Sequence, residues 1–119
     1  MLVEKATQVY SDLSSFTALT SLLTNGADSI RPLIAESEDG DSFITYMIKF
    51  ENFASKDRAT DFQVIVQSWA TDYNDSLAIA DQVEAAFGAS SNFYKYLSAN
   101  ANFNEQLEIY TEQIFNIKK

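Results

Sequence analysis

The spacing of apolar side chains changes in the middle of this chain. Over Phe62–Ala70, Phe62, Val64 and Val66 alternate with Gln63, Ile65, Gln67 and Trp69. That period of two marks a strand with two unequal faces. Past the polar segment Thr71–Asp75 the period lengthens to about 3.6, and Leu77, Ala80, Val83 and Phe87 form one stripe. Asp72 or Asn74 can accept from the unpaired amides of a first helical turn, and Gly88 is placed to stop the helix. The pattern predicts a strand, a short turn and an amphipathic helix that folds back onto a sheet.

The rest of the chain reads in the same way. Val3–Leu23 predicts helix, with Val3, Ala6, Val9, Tyr10, Leu13 and Phe16 at three- and four-residue steps. Ser14-Ser15 interrupts it, Ser15 is placed to cap a second short helix carrying Leu19, Leu22 and Leu23, and Asn25-Gly26 ends it. Ile30–Ala35 is a short strand that Pro32 confines to an edge or a strand start. Phe43–Phe53 is a long strand, with Ile44, Tyr46, Ile48 and Phe50 on one face and the more mixed Phe43, Thr45, Met47 and Lys49 on the other. A charged hairpin loop, Ala54–Ala59, joins it to Phe62–Ala70. Asn92–Ala99 and Glu105–Lys118 are two further strands joined near Asn100–Asn104. In the last, Leu107, Ile109, Phe115 and Ile117 face one side and Tyr110 and Ile114 the other. Thr111 and Gln113 soften its apolar face and predict a bulge there. The order predicts a single α+β domain over residues 1–119. Its mostly antiparallel sheet has four to five strands, with an N-terminal helix and a second helix packed on one face.

Composition narrows the chemistry. The 119 residues suffice for one core. With no Cys and no His, there is no disulfide, no thiolate or imidazole metal site, and no Ser-His-Asp or Cys-His nucleophile. Seventeen acids against eight bases give a net charge of −9, which repels nucleic acid and anionic membrane alike. The start, MLVEKATQVYSDL, carries acids and lacks the apolar segment of a secretory signal. No apolar run approaches the length of about 18 residues that spans a bilayer. No cofactor motif is present. Nine Phe, six Tyr and one Trp are many for so small a core, which places some rings at an interface.

Candidate sites are few. Glu36, Glu38, Asp39 and Asp41 form an acidic loop, but its spacing matches no calcium loop and a solvated segment explains it better. Asp72, Asp75 and Asp81 could hint at a magnesium site; capping and the helix dipole account for the first two. Glu108 and Glu112 lie four apart on one strand face, the pair a glycosidase would need and an exposed strand commonly carries anyway. Trp69 suits either a core position under the helix or an interface. Phe93, Tyr94, Tyr96 and Phe103 cluster, and in a strand one of Phe93 and Tyr94 must point away from the core, which favours a protein contact. Lys56, Asp57 and Arg58, with Phe53 at the hairpin's base, put two bases on a projecting tip of an acidic chain. Such a tip suits contact with an acidic neighbour.

The run VIVQSWATDYNDSLAIADQVEAAF resembles the phage tail-completion and tail-terminator family. Trp69-Ala70 followed by Tyr73, then Ile79-Ala80-Asp81 and Val83, fit its W-A-x-x-Y and I-A-D-x-V pattern, with Val64 and Val66 preceding. Leu19–Leu23 resembles the family's helix end, Ile30-Arg31-Pro32 its I-x-P segment, Ser42–Tyr46 its next strand, and Glu108–Ile117 its last. Phe43 stands where the family has proline, and Leu77 where a small residue is common. The resemblance implies a structural protein of phage or prophage, not an enzyme. Such proteins form rings, often hexameric, at the head-proximal end of the tail, where they terminate tube growth and join tail to head. It implies as partners the chain itself, tail-tube and head-connector proteins, and as location the virion tail after assembly in the bacterial host cytoplasm. DNA would pass through an acidic lumen without specific binding. A closed ring needs two different patches per subunit. At about 800 Å² each, they would absorb the aromatic surplus. The rival reading is a standalone acidic protein-binding module or inhibitor that mimics nucleic acid, which solution mass would separate from a ring.

Overall fold

The computed structural model describes residues 2–33, 40–51, 61–90, 93–104 and 108–118. The helical stretch expected over Val3–Leu23 is divided into α1 (Leu2–Ser14) and a short α2 (Thr17–Thr20). The break falls at Ser14-Ser15 as expected, but Ser15 does not cap α2. Its hydroxyl donates back to the Ser11 carbonyl at 2.7 Å, and Phe16 takes the N-cap position without a side-chain bond. A serine held by an acceptor one turn earlier is turned away from the helix ahead of it. α2 ends at Thr20, before Asn25-Gly26. Gly26, at φ 59°, opens a 3-10 turn over Gly26–Ser29 instead.

β1 (Ile30–Pro32) runs parallel to β2 (Phe43–Glu51) at one edge of the sheet. Pro32, with no N–H to give, sits there as expected. Leu33 then adopts φ 66°, a left-handed conformation uncommon for leucine, and its N–H still reaches the Tyr46 carbonyl at 2.8 Å. β2 pairs antiparallel with β3 (Asp61–Ala70), from Phe43 opposite Trp69 to Glu51 opposite Asp61. Residues 34–39 and the hairpin tip 52–60 lie outside the described part. With them go Glu36, Glu38, Asp39, Phe53, Lys56, Asp57 and Arg58.

α3 (Tyr73–Ala89) carries the chain across the sheet to its far edge, where β4 (Phe93–Phe103) runs. β5 (Ile109–Lys118) returns antiparallel between β3 and β4, giving the order β1-β2-β3-β5-β4. The protein is thus α+β, with a five-stranded, mostly antiparallel sheet and its helices on one face. Val9, Leu13, Leu19, Ile44, Phe62, Val64, Val66, Val83 and Phe115 form the centre of the core. Among the described residues, no helix is long and apolar enough to cross a membrane, which says nothing of membrane barrels built from strands.

The structure corrects several expectations. The buried face of α3 is Ser76, Ile79, Ala80, Val83, Ala86 and Phe87; Leu77 is only half-buried. The Ser76 hydroxyl lies 2.9 Å from the Ser68 carbonyl and 2.7 Å from Thr111 Oγ1. Ala80, Val83 and Phe87 of the expected stripe are thus buried, and Ser76 takes the place expected of Leu77 at its start. Asp72, not Asn74, is the N-cap, its Oδ1 accepting from the Asp75 amide at 2.8 Å. Gly88 does not stop the helix, which continues to Ala89 with Ser90 as C-cap. β4 runs on to Phe103, so its turn to β5 falls after the expected Asn100–Asn104. Glu108 lies in that turn, where Asn104 holds its carboxylate at 2.7 Å, so it shares no strand with Glu112. The bulge is on β4 at Leu97, between the pairs Tyr96–Phe115 and Ser98–Ile114, not on β5. β5 is flanked on both sides, and it absorbs Thr111 and Gln113 by hydrogen bonding instead of by distortion. Gln113 Nε2 donates to the Ala80 carbonyl at 3.1 Å and to Tyr96 Oη at 3.0 Å.

Candidate interaction surface

The helices cover one face of the sheet, and strand alternation fixes which side chains occupy the other. Register lines them up in rows across the strands. One row is Phe43, Trp69, Tyr110 and Asn102; the next is Arg31, Thr45, Gln67, Glu112 and Asn100; the third is Met47, Ile65, Ile114 and Ser98. Trp69 therefore lies on the face away from α3, and the core position under the helix is excluded. The period-two pattern already puts it with Gln63, Ile65 and Gln67. What that pattern does not contain is which face the helix takes.

This open face is internally braced. Phe43 stacks on Trp69 at 5.6 Å between ring centroids, and Tyr110 packs against Trp69 at 4.5 Å, tilted by 33°. Trp69 Nε1 donates to Thr45 Oγ1 at 3.1 Å. Thr45 donates in turn to Gln67 Oε1 at 3.1 Å, and Gln67 Nε2 to Glu112 Oε1 at 3.2 Å. Four side chains from three strands thus form one directional chain ending on a carboxylate. Beside it, Leu33, Met47 and Ile65 line a depression of about 130 Å³. At the end of the aromatic row a cleft of about 290 Å³ is bounded by Phe43, Trp69, Asp41 and Glu108. An apolar row next to a satisfied polar row can take up protein surface without stranding a buried polar group.

Charge is unevenly distributed over the two faces. Among the described residues, the helical layer and its caps carry Glu4, Asp12, Asp28, Asp72, Asp75, Asp81 and Glu84 against Lys5. The open face is mixed: Arg31, Lys49 and Lys95 are interspersed with Glu112, with Asp41 and Glu108 at the cleft and with the register positions Glu51 and Asp61. The acids are spread, and no group of three or more His, Cys, Asp or Glu among the described residues is arranged to hold a metal. Asp72 and Asp75 meet each other through the cap.

The aromatic cluster near the fourth strand divides. Tyr94 is engaged inside the molecule: its ring stacks on Phe87 at 4.0 Å, and its hydroxyl donates to Asp12 Oδ2 at 2.6 Å and accepts from Gln8 Nε2 at 3.3 Å. Burial and the Asp12 carboxylate push its pKa up well beyond the usual tyrosine value. Tyr96 stacks on Phe115 at 4.9 Å while remaining exposed at its rim. Phe103 is 62% exposed. Phe93 begins the strand, with its side chain outside the described part. The pairing of Tyr94 with α1 has no signal in the sequence, because Asp12 and Gln8 lie more than 80 residues away. Compared with known proteins, the chain matches no family model and no characterised sequence.

Proposed function

We propose that this chain is a structural, non-enzymatic protein of a phage or prophage tail. In this reading it assembles with copies of itself into a ring at the head-proximal end, terminates tube growth and joins the tail to the head. The observation that carries the reading is the open sheet face, with its braced aromatic and polar rows, in a molecule whose opposite face is acidic. A head-to-tail ring needs two unlike patches on each subunit, and these two faces are unlike in charge and in shape. The family-like unit supports it too: Val64 and Val66 point into the core, while Trp69 of the W-A-x-x-Y pattern stands on the open face.

Light scattering on the eluting protein, with negative-stain microscopy, tests this. Closed rings are expected, and Ile65→Lys on the open face should reduce them to smaller species with an unchanged circular dichroism spectrum. A wild-type protein that stays monomeric up to millimolar concentration refutes the ring. The concentration of acids on the helical layer is the one observation favouring the rival, an acidic module that binds a basic partner. A stable monomer that captures a basic protein in a salt-sensitive manner would decide for it.

A further inference from the structure

We propose that β4 is a docking edge for the β4 strand of a second copy, related by a two-fold axis, so that two sheets join into one. This pairing uses groups other than those of the proposed ring contact and does not depend on it. β4 is the outermost strand of the sheet, eleven residues long, and among the described residues it has a neighbour only on its β5 side. A long unpaired edge is a template for another strand, and proteins ordinarily blunt it with proline, charge or brevity. The opposite edge is blunted: β1 has three residues and ends in Pro32. β4 contains no proline, and Tyr96–Asn104 holds no charged residue in a chain of net charge −9. A second copy can therefore meet this stretch without the like-charge repulsion that the rest of the acidic surface imposes.

Hydrogen-bond phase identifies the groups that would pair. The Asn104 amide donates to the Glu108 carbonyl at 3.0 Å, toward β5. Alternation in an antiparallel ladder then turns Asn102 and Asn100 inward and Phe103, Ala101 and Ala99 outward. The Phe103 amide confirms this phase, because it is taken by the neighbouring Asn102 Oδ1 at 2.8 Å. Ala99 and Ala101 thus present N–H and C=O groups away from the sheet, and a methyl side chain at each leaves room for a strand about 4.8 Å away. A copy of the same strand fits this edge best. A head-to-tail partner would have to offer β1, which is too short and carries proline, whereas β4 on β4 is self-complementary and closes after two copies. Leu97 and Phe103, 43% and 62% exposed, lie at the two ends of this segment, where pairing would cover them.

Proline scanning read by light scattering tests the proposal. The wild-type assembly should contain an even number of chains. Ala101→Pro removes an outward amide only, so it should halve the mass while leaving the circular dichroism spectrum and melting temperature unchanged. Ala99→Lys, an edge charge that leaves the β5 ladder complete, should do the same. A mass unchanged by both variants, or a wild-type protein monomeric at millimolar concentration, overturns it. If Ile65→Lys dissociates the assembly and Ala101→Pro does not, the ring stands and the edge pairing falls.

Discussion

Tyr94→Phe removes one oxygen and keeps the ring that packs on Phe87 at 4.0 Å. The oxygen links β4 to α1 through a 2.6 Å bond to Asp12 and a 3.3 Å bond from Gln8. A hydrogen bond to a charged group is worth about 1.5–3 kcal/mol, and an ordinary one about 0.5–1.5. Tyr94 is half-buried, and Gln8 and Asp12 are left partly open to water, so much of this is recovered by solvation. A loss of about 1–2 kcal/mol at neutral pH is expected, read from urea denaturation as a shift in midpoint with an unchanged slope.

The alkaline arm of the same experiment is sharper. Tyr94 has a folded-state pKa raised above its unfolded value near 10. Above about pH 10 the unfolded chain therefore loses this proton while the folded chain keeps it. The unfolded state then binds fewer protons, so stability falls as pH rises, by at most about 1.4 kcal/mol per pH unit for one fully protected group. Partial exposure reduces that slope for Tyr94. Tyr46, also raised, first by burial and then by Tyr10, contributes in the same direction and remains in the variant. The Tyr94→Phe protein should lose stability more slowly than wild type between about pH 10 and 11.5, so the two curves converge. Parallel curves across that range would show that neither burial nor the Asp12 contact protects the hydroxyl.

Two smaller predictions concern α3. Asp72→Ala deletes the 2.8 Å cap on the Asp75 amide and should cost about 0.5–2 kcal/mol in chemical denaturation, with Asp72→Asn retaining most of it. Gly88→Ala should stabilise by roughly 0.5–1 kcal/mol, since Gly88 lies inside the helix and an added Cβ meets nothing within 4 Å; a lowered melting temperature would contradict this.

The period of two in Phe62–Ala70 and Phe43–Phe53 is enough to find the hairpin, its faces and the α+β class, because alternation is a local property that burial reinforces at every step. The helix after Asp72 is legible for the same reason. Most of its buried stripe is legible too, as Ala80, Val83 and Phe87; the burial of Ser76 in place of Leu77 is not, because it depends on Ser68 and Thr111, groups on two strands that sequence alone does not bring together. Thr111 and Gln113 stand out as oddities on an apolar face. The nearest local explanation is a bulge, whereas Gln113 bonds the helix carbonyl of Ala80 and the hydroxyl of Tyr96. Alternation puts Trp69 on the right side of its strand. Its partners Phe43, Tyr110 and Thr45 depend on strand order, and the position of β5 between β3 and β4 carries no local signature.

The polar groups on the two faces of the central strands have different roles. Under α3, Ser68, Ser76, Thr111 and Gln113 are buried, and their bonds allow essentially one helix register. A half-satisfied group is costly in such a place, and Gln113 Oε1 and Ser68 Oγ have no protein partner. That cost weighs against the closed layer and is offset by the apolar burial around it. On the open face, Thr45, Gln67 and Glu112 are bonded to one another while Gln67 and Glu112 still reach solvent. Their bonds survive whether the face is wet or covered. Covering it removes Met47, Ile65, Ile114 and the edge of Trp69 from water at about 25 cal/mol per Å² of apolar surface, while Asn116 Oδ1 on this face is already buried without a protein partner. A face built in this way tolerates both the free and the assembled state. That is the property a subunit needs if it folds alone before it assembles.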